Sequence, residues 1–319
     1  MTRELENRGT GSPRPIGDYS LKILITGASS LPGFKTTIEA LKRGHEVLAL
    51  YYKNPITIRH ERLKTMGLDI CNISDLNNVV VNYKPECVIH MAALGDVDLC
   101  ERDRNLAWKT TAEPSIALAR LASSIKFFSV YLSTDYVFDG ERGNYSEYDV
   151  PNPINYYGLV KMVGEVAFMS SGADYAIVRA SSIYGIGPGR VNFAKFLTEK
   201  IERGEEVKAL IDQYTSPTYA QMLGEAILEI VERRLIGIFH VAGERMSRYE
   251  FALKIAEKLG LNKELIKKAE MRDMKWSAKR PKDSSLNSER TRKILKTDFY
   301  SLDKALQDLK NEYVRGGVT

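Results

Sequence analysis

Short apolar runs alternate with helix-period stretches over the first 180 residues, and this alternation constrains the fold more than any other feature of the chain. Leu21–Thr26 is rich in Ile and Leu, Phe34–Arg43 has helical periodicity, and Glu46–Tyr52 reads as a second strand. A third strand is expected before Asp69, and Ser74–Tyr83 is helical. Glu86–Met91 is an apolar strand, Leu106–Ser123 a long amphipathic helix, and Phe127–Ser133 another strand. Tyr157–Ser170 then reads as a helix and Tyr175–Arg179 as a strand. Such alternation predicts a parallel sheet with helices on both faces, and right-handed crossovers make it doubly wound.

After Arg179 the pattern loosens. Gly185–Gly189 is a loop, Phe193–Arg203, Ala220–Arg234, Arg248–Leu259 and Ser301–Glu312 read as helices, and Gly237–Val241 as a short strand. Lys263–Lys293 is basic and irregular. It reads either as a diphosphate-binding segment or as plain surface. These features divide the chain into a flexible leader at 1–19, a sheet domain at 20–180 to which 218–242 returns, and a smaller, irregular α+β lobe at 181–217 and 243–319.

Several function classes are disfavoured. No apolar run approaches the ~20 residues that span a bilayer, and the polar first 20 residues lack the apolar core of a secretory signal. The three cysteines (Cys71, Cys87, Cys100) form no CxxC, and the four histidines are scattered, so no disulfide framework or metal site is expected. A net charge of +5 suits an anionic small molecule better than nucleic acid. A cytoplasmic protein with no membrane partner is expected.

Thr26-Gly-Ala-Ser-Ser-Leu-Pro-Gly33 joins the first strand to the first helix. There a Rossmann sheet needs glycine, so that the backbone can turn tightly and approach a pyrophosphate at a helix N-terminus. Gly27, Ser29, Ser30, Leu31 and Gly33 are therefore candidate cofactor contacts, with Ser30 where a middle glycine is usual. The second strand ends in Leu50-Tyr-Tyr-Lys53 without the acid that binds an NAD ribose. Tyr51 and Lys53, with Arg59 and Arg62 beyond, favour the 2′-phosphate of NADP, with NAD possible. Asp69 and Ile70 are placed at the adenine, and Ala92 and Ala93 let a cofactor lie close.

Tyr157 and Lys161 stand four residues apart, on one face of a helix, where an ammonium is expected to lower a phenol's pKa and suit it to general acid catalysis. Tyr300 and Lys304 share that spacing and are assigned to a surface helix. Upstream of the first pair, Val130–Thr134 places the Thr134 hydroxyl at the C-terminal end of a central strand, where it can polarise a carbonyl.

With Ala92-Ala93, Val97-Asp98 and Glu101, Ser133-Thr-Asp-Tyr-Val-Phe-Asp-Gly140, Tyr157–Lys161, Gly164-Glu165, Arg179, Tyr184-Gly185, Asn192-Phe193, Ser216-Pro-Thr218, His240 and Arg280-Pro281, the chain resembles the extended short-chain dehydrogenase/reductases. Within them it is most similar to the dTDP-4-dehydrorhamnose reductase family and its relative, the methionine adenosyltransferase β subunit. The resemblance spans about residues 20–300. It implies NADPH-dependent reduction of a nucleotide-linked 4-keto-6-deoxy sugar, with Thr134, Asp135, Tyr157 and Lys161 catalytic. Tyr157 would be the proton donor, Lys161 the holder of the nicotinamide ribose, and Asp135 a group that positions the sugar. Val97, Asp98, Asn192 and Arg280 would meet the substrate, and a homodimer is the family's usual assembly. Thr111 and Ser182 depart from the family pattern, where asparagine and tryptophan are common. An NADP-binding regulatory subunit without turnover, or a nucleotide-sugar epimerase or dehydratase, are the alternatives.

Overall fold

The computed structural model describes residues 20–316, so the expected leader at 1–19 lies outside the described residues. Strands β1 (Lys22–Thr26), β2 (Glu46–Tyr51), β3 (Leu63–Gly67), β4 (Cys87–His90), β5 (Phe128–Thr134) and β6 (Tyr175–Tyr184) lie in the order 3-2-1-4-5-6, all parallel. Strands β7 (Val207–Leu210), β8 (Tyr214–Thr215), β9 (Pro217–Tyr219), β10 (Gly237–His240), β11 (Met246–Ser247) and β12 (Ile266–Ala269) follow. β10 and β9 both pair with β6 in parallel, which completes an eight-stranded sheet. The order reverses between β1 and β4, opening a crevice at the C-terminal strand ends.

Alternation within the strands sorts the helices. Ile23 and Ile25 of β1 join the core under α1 (Leu31–Lys42) and α8 (Ala220–Glu232). Leu24 joins the opposite core with α2 (Ile73–Tyr83), α5 (Glu113–Ile125) and α6 (Tyr156–Met169). Both faces are thus covered, as a parallel sheet requires. The rest of the chain adds α3 (Val97–Arg102), α4 (Arg104–Ala107), α7 (Phe193–Glu202), α9 (Arg248–Leu259), α10 (Glu289–Ile294) and α11 (Leu302–Gly316). No helix among the described residues is long and apolar enough to cross a membrane.

The expected helix at 106–123 is interrupted. Trp108–Ala112 form a π-helical turn before α5, which carries a proline in its first turn. Pro114 has no N–H to continue the ladder, and the wider turn absorbs the break. The basic stretch 263–293 is also more ordered than its composition suggests. Ile266 and Ala269 are buried, Lys267 and Lys268 exposed, and β12 pairs with β7. Two buried residues are too short a pattern to announce a strand. β6 runs five residues past Arg179, through a register shift at Ser182, whose φ is +43°. Tyr300 lies before α11 rather than on it, half-buried under the Arg292 guanidinium at 4.0 Å, so only Lys304 of that pair is on the exposed helix surface.

One buried ion pair locks α6 to the sheet. Arg179 on β6 donates Nε and Nη2 to the two carboxylate oxygens of Glu165 at 2.9 and 2.6 Å. His240 accepts from Arg179 Nη1 at 3.4 Å while its Nδ1 donates to the Asn287 carbonyl at 3.2 Å. Burial, then the Arg179 charge, holds that imidazole down at about 3, so it stays neutral.

Candidate active site

The β1–α1 turn is as tight as its glycines predict. Gly27 has φ +68°, and a Cβ on Gly33 would stand 2.3 Å from the Gly27 carbonyl oxygen. Ser30, at φ −79°, needs no glycine. Its hydroxyl donates to Gly27 O at 2.7 Å and accepts from Gly33 N at 3.2 Å, so the side chain caps α1 and closes its own loop. The Ser29 and Leu31 N–H groups find no acceptor among the described residues. They are donors at a helix N-terminus, and this turn fits an anionic group such as a dinucleotide pyrophosphate. The Gly185–Gly189 loop lies against it, since a Cβ on Gly189 would stand 3.1 Å from Leu31 N.

Beneath the turn runs a buried polar chain. Ser115 Oγ donates to the Thr111 carbonyl at 2.6 Å, so the His90 Nε2 at 3.0 Å from Ser115 Oγ carries the proton. His90 Nδ1 then accepts from Thr26 Oγ1 at 2.7 Å, and Thr26 accepts from the N–H groups of Met91 and Ala92, both at 3.2 Å. Thr111 Oγ1 accepts from Leu94 N at 3.1 Å, and so fixes the loop after β4 from the π turn.

Tyr51, Asp69, Ile70, Ala92 and Ala93 all stand at the C-terminal edge of the sheet with the glycine turn. Lys53 is exposed, stacks 5.0 Å from the Tyr52 ring and enters no ion pair among the described residues. Asp69 Oδ1 accepts from Cys71 N at 3.0 Å, which shapes the turn after β3. Arg62 is at the wrong edge. It precedes β3 and donates to Gly44 O at 2.5 Å, at the N-terminal end of β2, and so cannot face a 2′-phosphate.

At the end of β5, Thr134 and Tyr157 meet. The Tyr157 ring is half-buried and edge-on to Tyr136 at 6.1 Å. Burial pushes its phenol above the ordinary tyrosine range, the Thr134 hydroxyl pulls it partly back, and the Asp135 charge adds to the rise. This corrects the expected lowering by Lys161. The ammonium turns away, donating to the Leu132 carbonyl at 2.6 Å and lying 4.1 Å from the Tyr131 ring centroid. Burial brings Lys161 down to about 7, with Glu165 opposing.

That shift has a sign in stability. Below about pH 7 the ammonium is charged in both states and carries its whole desolvation cost; between there and the ordinary lysine range only the unfolded chain keeps the proton, so stability rises with pH. Lys161→Met is therefore expected to stabilise the protein most at about pH 6 and progressively less toward about pH 10 in urea unfolding. A pH-independent difference would contradict this assignment.

Asp135 is not where a sugar can reach it. It is 2% exposed, and its oxygens accept from Thr134 Oγ1 at 3.1 Å, Ser181 Oγ at 2.8 Å and Ser284 Oγ at 2.5 Å. It joins β5, β6 and the C-terminal segment and holds Thr134 in place. Burial raises its carboxyl above the usual range against those hydroxyls. The expected substrate residues Asp98 and Arg280 bind one another, at 2.9 Å, and Asp98 also accepts from Ser277 N and Ala278 N. Asn155, the cap of α6, donates to Lys279 O at 3.0 Å, so the segment at 277–280 is strapped across α3 and α6. Asn192 caps α7 and donates to Gly185 O at 2.9 Å, holding the loop that covers the glycine turn. Val97 is half-buried at the start of α3. Ser182, half-buried in its left-handed conformation, makes no side-chain hydrogen bond among the described residues.

Sequence reasoning missed Tyr136, Ser181 and Ser284 as neighbours of the reacting groups, and Gln213 with Arg248. Their contacts join segments far apart in the chain, and no spacing announces them. Among the described residues no cluster of His, Cys, Asp or Glu could hold a metal ion.

The model of the RmlD substrate binding domain family matches residues 21–315. A hypothetical dTDP-4-dehydrorhamnose reductase from Sulfolobus tokodaii superposes with a TM-score of 0.79 at 42% identity, covering 89% of this chain and 98% of that one. The dTDP-4-dehydrorhamnose reductase of Bacillus anthracis, solved in complex with NADP, gives 0.81 at 29% identity over 92% of this chain and 100% of that one. Methionine adenosyltransferase 2 subunit beta of Bos taurus is 27% identical over 249 residues, 75% of this chain and 72% of its own length. Matched from β1 into α11, the chain belongs to the RmlD substrate binding domain family.

Proposed function

We propose that the protein is an NADPH-dependent reductase of a nucleotide-linked 4-keto-6-deoxy sugar. The observation that carries this reading is the meeting of Thr134 and Tyr157 at the end of β5, on the same sheet edge as the glycine turn. Residues 20–180 with 218–242 would hold the cofactor, and 181–217 with 243–316 the sugar nucleotide. Ser29 and Leu31 N–H would take the pyrophosphate, and Lys53 the 2′-phosphate. Bound there, the dinucleotide supplies a hydride. Tyr157, which burial keeps protonated through the neutral range, gives its proton to the alkoxide oxygen formed from the ketone. Thr134 orients that phenol, and Asp135 fixes Thr134. Lys161 sits one helical turn on, where it can hold a ribose hydroxyl once its proton leaves the Leu132 carbonyl. The protein would work in the cytoplasm, as a homodimer.

The test is turnover of a panel of dTDP- and UDP-linked 4-keto sugars by the purified protein. NADPH oxidation with a 4-keto-6-deoxy sugar, and tighter binding of NADPH than NADH, are the expected results. The likeness to methionine adenosyltransferase 2 subunit beta favours a second reading, an NADP-binding regulatory subunit. No turnover on the whole panel, together with a stably bound partner enzyme, would decide for it.

A further inference from the structure

Arg248 is a cation whose side chain is held by neutral groups. It opens α9, is half-buried, and enters no ion pair among the described residues. Its backbone N–H and its Nε both go to Gln213, donating to the main-chain oxygen at 3.1 Å and to Oε1 at 2.8 Å. Gln213 is itself 1% exposed and anchored by its Nε2 to the Pro281 carbonyl at 3.3 Å. A buried amide fixed at both ends therefore aims the guanidinium, whose terminal N–H groups have no partner among the described residues beyond a side-chain hydrogen bond with Tyr136. One face of the guanidinium lies 5.5 Å from the Phe193 ring, just beyond the loop that covers the glycine turn. The guanidinium also hydrogen-bonds the Tyr136 phenol and lies near enough to the Asp135 carboxylate for the two charges to attract. Tyr136 in turn touches Tyr157 edge-on at 6.1 Å.

Arg248 thus stands one aromatic ring away from the proton donor. In a hexose linked to a nucleotide, the phosphate on C1 lies one sugar ring away from the reacting C4. Resting on the reductase reading above, we infer that Arg248 binds the sugar-linked phosphate of the substrate diphosphate and so sets the sugar's C4 at Tyr157. A planar guanidinium held by its Nε presents paired terminal N–H groups to phosphate oxygens, and a charge-assisted contact of this kind is among the stronger hydrogen bonds available. Gln213 is a positioning residue that acts through Arg248.

The test is a binding ladder of thymidine, dTMP and dTDP, measured by calorimetry on the full chain and on Arg248→Gln and Arg248→Lys. The expected result is a loss of about tenfold or more in dTDP affinity for Arg248→Gln, with thymidine affinity and Tm held and part of the loss recovered in Arg248→Lys. Equal dTDP-to-thymidine ratios in Arg248→Gln and the parent chain would overturn the inference. So would a uniform drop for all three ligands with a lowered Tm, which marks a mere counter-charge to Asp135. The two readings separate cleanly. A parent chain that binds dTDP in this Arg248-dependent way but reduces no keto sugar sinks the reductase and leaves the phosphate site. A chain that reduces the sugar while Arg248→Gln keeps its dTDP affinity does the reverse.

Discussion

Tyr157→Phe is expected to lower kcat for keto-sugar reduction by roughly 10²–10⁴-fold while NADPH affinity stays unchanged. The ring keeps its volume and its edge-on contact with Tyr136, so the loss is of one transferable proton and not of packing. Because burial raises the phenol above its ordinary range, Tyr157 enters each turnover protonated, and the parent rate should show no fall attributable to it up to neutral pH. Steady-state kinetics with parallel cofactor titrations measure both quantities. A phenylalanine variant with undiminished kcat would remove Tyr157 from the chemistry, and one that failed to bind NADPH would assign it to the cofactor instead.

Breaking the Arg179–Glu165 pair is expected to have the largest effect on stability. Both residues are 1% exposed, and the contact is bidentate at 2.9 and 2.6 Å. Glu165→Gln leaves a guanidinium buried without a countercharge, at a cost of about 3–5 kcal/mol in unfolding free energy. Glu165→Leu combined with Arg179→Met, which removes both charges, should recover most of that loss, because a buried pair gains little net over apolar residues of similar volume. Urea midpoints of the single and double variants decide it, and a single variant as stable as the parent would mean that solvent reaches the guanidinium.

The strand–helix alternation up to Arg179 was readable because each strand is a short apolar run bounded by polar turns, whereas the order 3-2-1-4-5-6 was not, since the same alternation fits more than one doubly wound order. The glycine turn was readable for a similar reason, since Gly27 and Gly33 answer a local steric need. What sequence reasoning got wrong lies in three dimensions. Helical spacing puts Tyr157 and Lys161 on one face, but the ammonium is drawn to the Leu132 carbonyl, and burial rather than charge governs the phenol. Asp135 sits beside Thr134 in a motif, yet Ser181 and Ser284 come from distant segments to enclose it. Arg62 lies only nine residues past Lys53, but the intervening chain runs back to the opposite edge of the sheet.

The hydrogen-bonded chain from Thr111 through Ser115 and His90 to Thr26 has a direction. Every proton along it points away from Thr26, so no member can reverse alone without leaving two donors facing each other. Thr26 can therefore accept both the Met91 and the Ala92 N–H only while Ser115 holds the far end. A change at position 115, on a helix on the far side of the sheet, would be felt first as a loosened floor beneath the glycine turn. The π turn and the glycine turn are in this sense one hydrogen-bonded unit, though they stand some eighty residues apart in the chain.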